Sequence, residues 1–193
     1  MFPRNLSKVG QMKRSIVLLL ALLLFSACSK DKYLTNPDGS TPVLYPERTV
    51  LAWPVVDGAH QDPSGKARIY LDPTAKLPKD FSAGDGVRVG ARSSIGEDAV
   101  LFPNVTLGDD SSIGRDAIVQ SGVKIGNKVS IGGDTVVGQG TTIEDGARIG
   151  KWVKIGSSAS IGSGAEIGGA ASVGDGATVA KDQRVPQGER VNK

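Results

Sequence analysis

Few residues in this 193-residue chain are of a type that does chemistry near neutral pH. An imidazole is the natural proton acceptor in that range, and the chain holds one histidine, His60. It falls in an irregular, Pro-rich stretch, so a general base stands there against a solvated loop histidine. The single cysteine, Cys28, has no second thiol with which to form an internal disulfide. A third set is Asp98, Asp116 and Asp134, spaced by eighteen, with Trp152 next in the series. Carboxylates held in register repel one another unless they are screened, paired or bridged by a cation of calcium type. Arg115 and Lys151 are near enough to neutralise them, and a solvated corner is the plainer reading of the set.

What positions these groups is a period of six that never slips. Its aliphatic positions run Val89, Ile95, Leu101, Leu107, Ile113, Val119, Ile125, Ile131, Val137, Ile143, Ile149, Ile155, Ile161, Ile167, Val173, Val179 and Val185. The next residue is usually glycine (Gly90, Gly96, Gly108, Gly114, Gly126), and the residue two before is usually small (Ser93, Ala99, Ser111, Ala117, Ala147). Side chains two apart in a strand share a face, so the aliphatic and the small residue both point inward. Glycine relieves crowding and supports the turn.

This pattern resembles the hexapeptide-repeat family over Ala83 to Val185, and the resemblance implies a triangular, left-handed prism. Three hexads then make one coil, and residues eighteen apart stack at the parallel strand spacing of about 4.8 Å. The expected fold class is all-β, a left-handed parallel β-helix with an irregular N-terminal segment. The helix is expected over 83–185, followed by a tail over 186–193. Thr178 to Asp182, with Val185-Pro186, resembles the end of acetyltransferase repeats, stretched by Gln183 and Arg184. Many members of the family are acyltransferases using acyl-CoA or acyl carrier protein, with a histidine base between the subunits of a trimer. Related carbonic anhydrases hold zinc with three histidines. This chain has no histidine after His60.

The amino terminus has a different logic. Lys13 and Arg14 precede the apolar run Ile16 to Phe25, followed by Ser26, Ala27 and Cys28. A charged flank, a short apolar core and a small-residue exit make a secretory signal rather than a membrane span. Phe25-Ser26-Ala27-Cys28 resembles the lipobox of bacterial lipoproteins, with Phe25 in place of the usual aliphatic, and implies lipidation of Cys28 after removal of residues 1–27. Met12 is an alternative start. Ser29, where an aspartate favours inner-membrane retention in such lipoproteins, points to the outer membrane. Residues 28–82 are expected to form a tether and short strands that lie against the helix or cap its first coil. The net charge of +3 includes Arg4, Lys8, Lys13 and Arg14. Without the signal the chain is close to neutral, which gives no electrostatic case for nucleic acid.

Stacking by eighteen also places Val100, Phe102, Ile118 and Val136 outward on one face, an apolar patch that something should cover. The middle segment, a neighbouring subunit of a homotrimer and an envelope protein or glycan are the three occupants considered. The leading functional expectation is a non-catalytic, lipid-anchored scaffold or binding surface of the bacterial cell envelope, with no cofactor beyond the calcium just mentioned. The alternative is an acyltransferase-like enzyme with an atypical base, for which His60 is the remote candidate.

Overall fold

The computed structural model describes residues 43–46, 50, 55–56, 58–62, 65 and 67–193; the signal segment and Cys28 lie outside the described residues. The described chain is all-β and winds as a left-handed parallel solenoid of about seven turns. Two-residue strands recur every six residues from Arg88–Val89 to Arg190–Val191. They assemble into three sheets of eight, six and nine strands, one per prism face.

The register is the one that an eighteen-residue coil requires. Ile113 pairs with Ile95 and Ile131, Val119 with Leu101 and Val137, and Ile125 with Leu107 and Ile143. Every aliphatic position from Val89 to Val185 is buried in one continuous core. Each such Ile or Val contributes on the order of 1.5–3 kcal/mol by burial.

The small inward positions add a second kind of link. Ser93, Ser111, Thr135 and Thr141 are buried, and each hydroxyl donates to a glycine carbonyl of the next coil. Ser93 Oγ donates to Gly108 O at 2.7 Å, Ser111 Oγ to Gly126 O at 2.9 Å and Thr141 Oγ1 to Gly156 O at 2.8 Å. The hydroxyls also accept: Val129 N–H donates to Ser111 Oγ at 3.0 Å. A hydroxyl satisfied on both sides avoids the penalty of an unmade bond in the core.

The coils extend beyond the expected 83–185. Arg68–Leu71 pairs in parallel with Arg88–Val89, Lys76 bridges to Ser94, and Ser82–Gly84 pairs with Val100–Leu101, which makes a full coil before Val89. At the other end Arg190–Val191 pairs with Ser172–Val173. In the first coil the sizes are inverted: Phe81 fills the place that is small elsewhere and Ala83 the aliphatic place, both fully buried. The volume is conserved while the pattern is reversed, and cores tolerate such exchanges.

Val55–Val56 and Ala59–Gln61 form an antiparallel hairpin that continues, through Arg68–Leu71, the nine-stranded face. Leu44–Pro46 adds an antiparallel strand to Ser82–Gly84 on the eight-stranded face. The N-terminal edges of two faces are thereby covered by antiparallel strands, one way of managing an open sheet edge.

Candidate functional site

Three turns per coil place the chemistry at the corners, and their backbone explains much of it. Every sixth residue from Gly86 to Gly188 has positive φ, including Asp98 (54°), Asp116 (56°), Asp134 (56°) and Trp152 (58°). Glycine, asparagine and aspartate are the residues that enter this left-handed region at least cost. The aspartate column therefore follows from turn geometry. Among the described residues no group of three or more His, Cys, Asp or Glu is disposed to hold a metal ion. Arg115 pairs with Glu97.

The apolar patch is also changed by the structure. Phe102 and Ile118 are buried, with 1% and 3% of their surface exposed, and Val100 and Val136 are half-buried. These four do not make an open face.

His60 is not a solvated loop residue. It lies in the hairpin with Val55 and Ile69 as its cross-strand partners, and its Nδ1 is enclosed without a hydrogen-bond partner. A buried polar atom in that condition costs about 1–3 kcal/mol. The imidazole sits at the cap of the solenoid, whereas the polar groups of the coils lie elsewhere.

Those groups gather on the corner that follows the nine-stranded face. Asp109 Oδ1 accepts from Ala91 N–H at 2.8 Å, Asn127 Oδ1 from Asp109 N–H at 2.9 Å and Asp145 Oδ1 from Asn127 N–H at 2.7 Å. Glu144 Oε2 accepts from Ser163 N–H at 3.0 Å. Beside this ladder Arg92 grips Asp110 through two bonds of 2.7 Å. The Arg92 guanidinium, first by hydrogen bonding and then by charge, holds the Asp110 carboxyl below its ordinary value of 3.8. An open cavity of about 510 Å³ is lined by Arg92, Asp109, Asp110, Asn127, Lys128 and Asp145. A second, of about 390 Å³, continues past Asp145 to Lys124, Thr142, Glu144 and Ser163.

The corner thus forms a polar groove lined by both signs of charge. Its carboxylates are already engaged in coil-to-coil bonds. The sequence carried the signal for this column, since Asp109, Asn127 and Asp145 recur at eighteen as Asp98, Asp116 and Asp134 do. A second feature lies on the nine-stranded face, where Arg88 stacks over the Tyr70 ring at 3.7 Å from its centre.

Two family models match the coils. Residues 92–127 match the bacterial transferase hexapeptide (six repeats), and residues 122–151 match the hexapeptide repeat of succinyl-transferase. The coils over residues 92–151 are thus hexapeptide repeats. No curated protein sequence matches it significantly. Among solved structures, this hexapeptide-repeat chain is similar to the acetyltransferase domain of PglB from Neisseria gonorrhoeae in complex with acetyl coenzyme A. The identity is 25%, over 60% of this chain and 55% of that one, with a TM-score of 0.57. A second structure of the same domain superposes with a TM-score of 0.56 at 24% identity, over 59% of this chain and 55% of that one. The chain thus spans little more than half the length of that relative. These likenesses favour the acyltransferase-like reading over the non-catalytic scaffold expected from the sequence.

Proposed function

We propose that this hexapeptide-repeat protein binds an acyl thioester donor, of acetyl-CoA type, along its coils and is an acyltransferase of the bacterial envelope. The observation that carries the reading is the likeness of its coils to an acetyltransferase domain that holds acetyl coenzyme A. The polar groove from Arg92 to Ser163 supplies cations for anionic parts of a ligand and carboxylates for an amine or hydroxyl acceptor. Homotrimer formation and a membrane tether through lipidated Cys28, at the outer membrane, are parts of the same proposal.

One observation favours a second reading, in which the donor binds without turnover. The coils carry no imidazole, and the only one in the chain has its Nδ1 enclosed in the N-terminal hairpin. Acyl transfer to an amine or hydroxyl requires a positioned base.

The full chain and its His60→Ala variant would be assayed with acetyl-CoA and longer acyl donors against amine and hydroxyl acceptors, with donor binding followed by calorimetry. Turnover lost in His60→Ala makes His60 the base. Turnover retained assigns the step to a carboxylate of the groove. Binding with no turnover in either leaves the binding-module reading, and absence of binding overturns both. Cys28→Ala should move the protein from the membrane to the soluble fraction and abolish incorporation of labelled fatty acid. A variant that stays membrane-bound would remove the tether from the proposal.

A further inference from the structure

Tyr70 and Arg88 face outward in register from neighbouring coils, and the guanidinium lies over the ring at 3.7 Å from its centre. The stack fixes the plane of Arg88 and uses none of its side-chain N–H donors. Among the described residues Arg88 makes no ion pair. An exposed guanidinium held in this way is ready for a carboxylate, which it can take through two parallel bonds.

Beside the stack lies an open cavity of about 370 Å³, lined also by Gly90, Asp72 and Asp109. Gly90 is two residues after Arg88, and a Cβ there would come within 2.5 Å of Asp109 Oδ1. Asp72 stands eighteen residues before Gly90 and Asp109 nineteen after it, so carboxylates of the two adjoining coils flank this glycine. Both are fixed by bonds of their own. Asp72 Oδ1 accepts from Thr74 N–H at 2.8 Å and from the Thr74 hydroxyl at 2.5 Å, and Asp109 Oδ1 accepts from Ala91 N–H at 2.8 Å. Each leaves its Oδ2 without a hydrogen bond among the described residues. The Thr74 hydroxyl and amide hold the Asp72 carboxyl below its ordinary value, so it is charged at neutral pH. The Arg92 charge reaches both carboxylates, but its hydrogen bonds go to Asp110. Within the cavity one cation therefore stands beside two carboxylates.

We infer that this cavity binds a small zwitterion of the α-amino-acid type, its carboxylate on Arg88 and its ammonium between Asp72 and Asp109. A ligand of one sign suits the site less well. Phosphate meets Arg88 but also two carboxylates, and a simple amine meets the carboxylates but also the guanidinium. Three side chains already held in place lose little freedom when a ligand arrives, which lowers the cost of binding. The cavity adjoins the donor groove at Asp109, and the inference does not rest on the donor-binding reading.

The test titrates the full chain with L-alanine, acetate, methylamine and inorganic phosphate, followed by ligand-observed NMR. L-Alanine should bind saturably, about tenfold or more tighter than acetate or methylamine. Arg88→Gln should weaken L-alanine binding about tenfold, and Tyr70→Leu, which removes the stack, should weaken it severalfold. Asp109→Asn keeps an oxygen for Ala91 N–H, so it should weaken L-alanine severalfold and leave acetate bound as tightly or more so. A thermal melt like that of the wild type separates these effects from misfolding. The comparison of the four ligands on the wild type decides the question even where a variant does not fold. No saturable binding of L-alanine, or phosphate bound more tightly than L-alanine, would overturn the site. Wild-type affinity for L-alanine in a folded Arg88→Gln variant would overturn it too.

Discussion

Gly108 and Gly132 hold the same place in the hexad, one residue after a buried aliphatic, but the next coil meets them differently. A Cβ on Gly108 would lie 2.7 Å from Asn127 Oδ1, as well as against the Gly126 backbone. At Gly132 it would meet only backbone, the nearest atoms being Gly150 C and Lys151 N at 2.6 Å. At the first corner glycine makes room for a side chain that binds the coil before it. At the second it lets two backbones approach with nothing between them. One repeat therefore builds a corner closed by side-chain hydrogen bonds and a corner where, at Gly132, bare backbone meets backbone, and the residue after the glycine decides which. Lys151 and Trp152 stand exposed on that second corner.

The wall behind both corners is the same, and damage there should be the largest. Ile131→Asp places a carboxylate among aliphatic neighbours with no partner, at a cost above about 4 kcal/mol. No cooperative thermal transition is expected; a melting curve close to wild type would mean that the inward register is wrong. Next comes Gly132→Ala, whose Cβ meets backbone that cannot rotate away, with an expected loss of about 1–3 kcal/mol in denaturant unfolding. A neutral result would show that the bare corner has slack and would weaken the contrast.

At the polar corner truncation rather than addition should matter. Asn127→Ala removes the acceptor for Asp109 N–H, with an expected loss of about 0.5–1.5 kcal/mol and faster hydrogen exchange at that amide. The equivalent truncation on the bare corner, Lys151→Ala, should leave stability within about 0.5 kcal/mol of wild type.

The smallest effect is electrostatic. Asp110 is lowered from 3.8 chiefly by its hydrogen bonds to Arg92, and Asp72 is lowered chiefly by the Thr74 hydroxyl. A depressed carboxyl contributes stability that is complete above its unfolded value and is lost as pH falls through the lower folded value. Melting temperature should thus decline below about pH 4, and Asp110→Asn should reduce that slope. The Arg92 and Asp110 side chains are 61% and 37% exposed, so salt should diminish the contribution at neutral pH. An unaltered acid slope in Asp110→Asn would assign it to other carboxylates.

The sequence by itself determined the coil. An aliphatic every six residues with a small residue two before it can be buried only if the chain turns at that interval, and stacking by eighteen follows from three faces. This fixed the neighbours of Ile131, the alignment of Asp98 with Asp116 and Asp134, and the contrast between the coils and the segment before them. Other features became visible only in the tertiary structure. The inverted pair Phe81 and Ala83 conceals the first coil, because volume is shared across the core while a pattern is read one position at a time. The left-handed turn column, which accounts for the aspartates, is a property of backbone torsion that Arg92 and Trp152 adopt without any compositional sign. His60 gains an enclosed Nδ1, and Phe102 becomes a buried side chain, because burial depends on what distant parts of the chain bring to a surface. The same holds for the two corners: hexad spacing places their glycines, and only the neighbouring coil decides whether a side chain or bare backbone fills the gap.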